Sequence, residues 1–168
     1  MFIYASAPTA ISQYAYQFHS PRLLDPRFRE ALEECLAEFY ERELKGSLQQ
    51  GGGGGFENCV IDIGVRIVSD SQSVEERIEI EEPKPPILLR PKVIEINPFL
   101  PTTDGALFSW ETELDLLQGT RRSGDNGVAY PVLRVNEKTR SGALVMVPKG
   151  WRDVVDVVDR EVRGDIGE

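Results

Sequence analysis

The run "VIEINPFLPTTDGALFSWE", residues 93–111, sets a carboxylate, Glu95, and a carboxamide, Asn97, two positions apart inside a β-branched stretch. Side chains alternate faces along a strand, so Glu95 and Asn97 project the same way, while Val93, and Ile94 with Ile96 on the opposite face, supply packing. A carboxylate turned toward an apolar layer is costly unless a cation or donors sit beside it. A second acid, Asp62, lies at the centre of "VIDIG", another strand-like run, and an antiparallel hairpin would bring it across from Glu95. Two carboxylates and a carboxamide oxygen suit a hard cation such as Mg²⁺, which keeps waters and commonly completes its shell with substrate phosphates, implying a nucleotide. In the alternative, both acids lie at strand edges and pair with Arg66, Arg90 or Lys92 in solvent, where such pairs contribute only about 0–1 kcal/mol. Spacing alone leaves both readings open.

Other reactive residues carry less. His19 is the only histidine, which removes metal sites built from several imidazoles and makes any Ser or Cys triad depend on one residue in the turn-like "FHSP". Cys35 and Cys59 form no CxxC pair, so neither a disulfide framework nor a zinc site is indicated, and a reducing cytosol fits. The polyglycine tract is followed by Phe56 and Glu57, not by the Lys and Ser or Thr of a phosphate-binding loop.

The elements that position Asp62, Glu95 and Asn97 follow from periodicity. "MFIYA" and "AISQYAYQF", separated by "SAPT", read as a hairpin that starts the chain inside a sheet. "DPRFREALEECLAEFYERELKG" reads as a helix, with Asp25 as N-cap, Pro26 in the first turn, and Phe28, Leu32, Cys35, Leu36 and Phe39 at helical spacing. "NCVIDIGVRIV" and "PKVIEINPF" read as strands, with flexible loops over about 46–56 and 69–90. "DGALFSWETELDLLQG" reads as a helix stopped at Gly119 that buries Phe108 and Trp110, and Asp104 caps its own turn. "YPVLRV" and "GALVMV" read as short strands and "PKGWRDVVDVVDREV" as a closing helix. The order predicts an α+β fold, an antiparallel sheet covered by helices, spanning 1–163 with a disordered tail at 164–168.

With 168 residues, 40% hydrophobic and 28% charged, the chain can bury a core. A net charge of −9 opposes binding to nucleic acid or anionic lipid, which needs clustered Lys and Arg. No run reaches the roughly 18–20 apolar residues of a membrane span, and a cytoplasmic location is expected.

The run 93–111 resembles the cell division cycle protein 123 family, whose members carry an "I-D-F-N-P-F" strand, a "T-D" turn and an "L-L-F-T-W-E" helix. The likeness extends outward: "AISQYAYQF" is similar to the family's "G-I-S-Q" strand, "VIDIGV" to its "V-F-D-I-Y" strand and "VMVPKGWRDVVDV" to its "R-L-P-K-D-F" segment. The resemblance implies the C-terminal portion of an ATP-grasp fold, with Asp62, Glu95 and Asn97 at the positions that hold Mg²⁺ and ATP phosphates. It also implies a non-enzymatic assembly chaperone with no catalytic residue. Such a chaperone binds the gamma subunit of eukaryotic translation initiation factor 2, promotes formation of the heterotrimer and so affects the cell cycle and cell division. The alternatives are an ATP-grasp carboxylate ligase and an interaction domain that has lost its nucleotide.

Three departures accompany the resemblance. Glu95 stands where the family usually has aspartate, keeping the ligand type. "SVEERIEIEEPKPPILLR" and the polyglycine tract lengthen loops, where extra length is tolerated cheaply. Met1 falls within the strand before "G-I-S-Q", so the chain is expected to be a fragment whose ATP binding is weakened.

Overall fold

The computed structural model describes residues 1–50, 56–69, 86–120, 131–139 and 141. Two strands, β1 (Phe2–Tyr4) and β2 (Ala7–Ser12), open the chain as a tight hairpin. Its two-residue turn holds Ala5 and Ser6 at φ 48° and 56°. Both residues are left-handed, a conformation that costs a residue bearing Cβ roughly 1–2 kcal/mol. Neighbours hold the turn in place. Ala5 N–H donates to Asn58 Oδ1 (2.8 Å), Ser6 N–H to the Glu57 carbonyl (2.9 Å), and the Tyr40 hydroxyl to the Ser6 carbonyl. The expected hairpin is present, but its second strand stops at Ser12 and does not run to Phe18.

Helix α1 (Pro26–Phe39) starts as its sequence dictates, with the Asp25 carboxylate accepting from Arg27 N–H at 3.0 Å. A π-helical turn (Tyr40–Leu44) leads directly into α2 (Lys45–Gln50). The loop expected from residue 46 is therefore helical through Gln50. Leu44 and Leu48 explain this: four apart, both buried, they continue the apolar stripe past Gly46.

The sheet has the order β4-β3-β1-β2-β5, with β3 at Cys59–Ser69, β4 at Leu88–Pro98 and β5 at Val132–Arg134. All neighbours are antiparallel except β2 and β5. The fold is α+β, as expected. Ser69 and Leu88–Arg90, placed in a loop by the sequence reading, belong to strands. Residues 51–55, 70–85 and 121–130 lie outside the described residues, as do the stretches read as a strand at "GALVMV", as a closing helix at "PKGWRDVVDVVDREV" and as a tail at 164–168.

Each sheet face has its own core. One gathers Ile3, Ile11 and Ile61 beneath Phe28, Leu32 and Leu36 of α1, extended by Ile63, Val65, Ile67, Leu89 and Val93. The other joins Phe2, Ala10 and Val60 to Phe108 and Leu117, with Phe99 and Trp110 against them. The segment carrying those aromatics is not the long helix expected: only α3 (Leu114–Leu117) is helical. A Cβ on Gly105 would stand 2.4 Å from the Phe108 carbonyl oxygen, and Ala106 takes φ 52°, so the chain turns sharply here. Phe108 and Trp110 nonetheless pack inward as expected, edge-on to Phe2 with ring centroids 5.6 and 5.8 Å away. Gly119, at φ 67°, ends α3. Ile94 and Ile96 do not supply the packing expected of them; they are 66% and 41% exposed on β4, which ends the sheet among the described strands.

Candidate functional site

The β3–β4 ladder sets Asp62 directly opposite Glu95, and Val60 opposite Asn97. Val60 belongs to the core beneath Phe108, whereas Ile61 and Ile63 face α1. By alternation Asp62, Glu95 and Asn97 therefore share the face away from the helix. The residues singled out as ligands are brought together on one surface.

A β-bulge accomplishes this. Ile63 pairs with Val93 and Asp62 with Glu95, so Ile94 is an extra residue on β4. Without it, continuing the register from Val93 would bring Glu95 opposite Ile61, on the face under α1, since a one-residue slip exchanges faces. Strict alternation predicts that Ile94 faces opposite to Glu95. In the bulge Ile94 turns to the same side, and its Cδ1 lies 3.1 Å from where a Cβ on Gly64 would stand.

Within the cluster, Asn97 Nδ2 donates to Glu95 Oε1 at 2.9 Å. Burial holds the Asp62 carboxyl above the usual carboxylate range, the Met1 ammonium opposes that rise, and the hydrogen bond to Glu95 and its charge add to it. Two carboxyls in hydrogen-bonding contact form a group that a divalent cation relieves. The donor set, two carboxylates and a carboxamide, fits Mg²⁺ completed by water or phosphate oxygens. Ligation through Asn97 requires its amide to turn over so that oxygen leads. Among the described residues no group of three or more His, Cys, Asp and Glu side chains is placed to hold a metal ion; the third side chain of this cluster is the Asn97 carboxamide.

A cavity of about 1180 Å³ opens beside these residues. Its origin is a notch in the sheet. β1 and β3 are joined at Met1, whose carbonyl accepts from Ile61 N–H and whose ammonium donates to the Ile61 carbonyl, both at 2.8 Å. Beyond Ile61, β3 runs on to Ser69 with only β4 beside it among the described strands. Asp62, Glu95 and Asn97 line this opening together with Ser12, Gln13 and Asp104.

The rim has structural tasks of its own. Ser12 Oγ accepts from Leu107 N–H at 3.1 Å, and Asp104 caps Ala106 N–H at 2.9 Å. Gln13 Oε1 accepts from Asn136 N–H at 3.0 Å. Arg134 forms a two-pronged ion pair with Glu113, donates to the Leu107 carbonyl and lies 4.3 Å from the Phe108 ring centroid. His19 sits against the Asn136 carbonyl at 3.3 Å, and burial pushes the Cys59 thiol up to about 11, far from the thiolate a nucleophile requires.

Sequence reasoning missed the role of Gly64 and the shared face of Arg66, Arg90 and Lys92, treating those cations only as partners for the acids. The signal was present: residues 62, 64 and 66 are two apart, as are 90 and 92. No helix among the described residues is long and apolar enough to cross a membrane. Neither a protein-family model nor a curated protein matches the chain.

Proposed function

We propose that Asp62, Glu95 and Asn97 hold a Mg²⁺ ion that carries the phosphates of ATP, on the C-terminal portion of an ATP-grasp fold. The observation that carries this reading is the bulged register that sets Asp62 against Glu95 with Asn97 on the same face. The resemblance of 93–111 to the cell division cycle protein 123 family supports the wider role: a cytoplasmic assembly chaperone for eukaryotic translation initiation factor 2, engaging its gamma subunit and thereby linked to cell-cycle progression. Mg²⁺ would neutralise phosphate charge here. Asp62 and Glu95 supply the anionic ligands, and Asn97, its amide turned over from the orientation that donates to Glu95, supplies a carboxamide oxygen.

Two measurements test this. Paramagnetic titration with Mn²⁺ is expected to show a site that Asp62→Asn and Glu95→Gln each weaken by about tenfold or more. Calorimetry with MgATP should give binding that Asn97→Ala lowers. Absence of both signals in the unaltered chain defeats the nucleotide reading. Failure of the chain to capture the initiation factor's gamma subunit defeats the chaperone role independently.

A further inference from the structure

Continuing from the acid pair toward the far end of the ribbon, the same face carries Gly64 opposite Lys92 and then Arg66 opposite Arg90. The intervening residues Ile63, Val65, Leu89 and Val93 pack with the helix-side core, which fixes Lys92, Arg66 and Arg90 on the outer face. All three cations are exposed, and none forms an ion pair among the described residues.

The arrangement is one of segregation. Acid faces acid at one rung and arginine faces arginine two rungs further, although exchanging members between those rungs would have produced opposite-charge pairs, which are favoured across strands. Ile94, bulged onto this face over Gly64, stands between the two groups. From Asp62, Gly64 is about 7 Å along β3 and Arg66 about 13 Å, at roughly 3.3 Å per residue, a span that long Lys and Arg side chains bridge. A ligand matching this pattern is cationic at one end and polyanionic at the other.

We infer that Lys92, Arg66 and Arg90 form an anion strip that receives the phosphate chain of a metal–polyphosphate whose divalent ion is held by Asp62 and Glu95. The inference rests on the metal reading above and deepens it: it assigns phosphate recognition to this ribbon's own cations in a chain whose net charge is −9. Arginine offers paired donors to phosphate oxygens and lysine a compact charge. Gly64 leaves β3 without a side chain of its own opposite Lys92. Nucleoside triphosphate and inorganic polyphosphate share this chemistry.

The test uses the full chain with Mn²⁺, inorganic tripolyphosphate, ATP and AMP. Tripolyphosphate should bind tighter with Mn²⁺ present than without, by the reciprocity of linked sites. The combined Lys92→Gln, Arg66→Gln and Arg90→Gln variant should weaken that binding about tenfold or more, leave Mn²⁺ affinity within about twofold, and flatten the salt dependence. Tripolyphosphate and ATP binding equally supports a strip that reads phosphate alone; ATP binding more tightly supports a nucleoside triphosphate as occupant. AMP should bind far more weakly than either. Unchanged tripolyphosphate affinity in the variant overturns the strip while the metal site stands. Loss of Mn²⁺ binding in the unaltered chain overturns the metal site and, with it, the strip.

Discussion

The face of the sheet away from α1 is divided into two regions with opposite chemistry. Near β1, Phe2, Phe99, Phe108 and Trp110 pack edge to face, and the segment above them is tied down. Trp110 Nε1 donates to the Thr103 carbonyl (2.7 Å), Thr9 Oγ1 to the Leu117 carbonyl (2.6 Å), and Glu113 holds Arg134. Along the far part of β3 and β4 the same face carries acids, cations and an exposed Ile94. The first region satisfies its groups internally. The second leaves Arg66, Arg90 and Lys92 exposed and without ion pairs among the described residues, beside the β4 bulge.

This contrast can be broken experimentally, starting where the effect is largest. Phe2→Ala should cost about 3–5 kcal/mol in urea unfolding, because the ring is almost fully buried and touches three other aromatics. Gly119→Ala should cost about 1–2 kcal/mol: it forces a Cβ into left-handed backbone and within 2.9 Å of Thr9 Cγ2, on the segment that seals the aromatic side. Ile94→Thr, on the open side, should stay within about 0.5 kcal/mol, since the side chain is 66% exposed and the β-branch is retained.

A further measurement sharpens the comparison through pH. The native Asp62 carboxyl titrates above its unfolded value, chiefly through burial, so without metal its contribution is most favourable in acid and is lost as pH rises through the native value. Asp62→Asn should therefore gain stability relative to the unaltered chain as pH increases across that range. Saturating Mg²⁺ should shrink the difference by favouring the ionised carboxylate. A variant that tracks the unaltered chain at every pH would remove Asp62 from the polar cluster.

Much of this organisation was legible in the residues. Asp25 and Pro26 announced the start of α1, and the acids embedded in two β-branched runs announced the strand pairing that sets Asp62 against Glu95. What escaped was tertiary. Gly46 looked like a stop, yet buried Leu44 and Leu48 carry the helix past it. The apolar spacing of 104–119 imitated a helix because a turning chain can place Phe108 and Trp110 into a core as well as a helix can, and the left-handed Ala106 carries no sequence signature. The Ile94 bulge depends on which partner each strand residue finds, and no local pattern encodes that choice.

The Ala5–Ser6 turn has a consequence for assembly. A reversal built from two residues that resist it has little reason to close by itself, and the groups that steady it, Glu57, Asn58 and Tyr40, arrive from more than thirty positions downstream. The opening ribbon is thus expected to snap shut late, after α1 and β3 have met, so that the beginning of the chain is among the last parts to find its place.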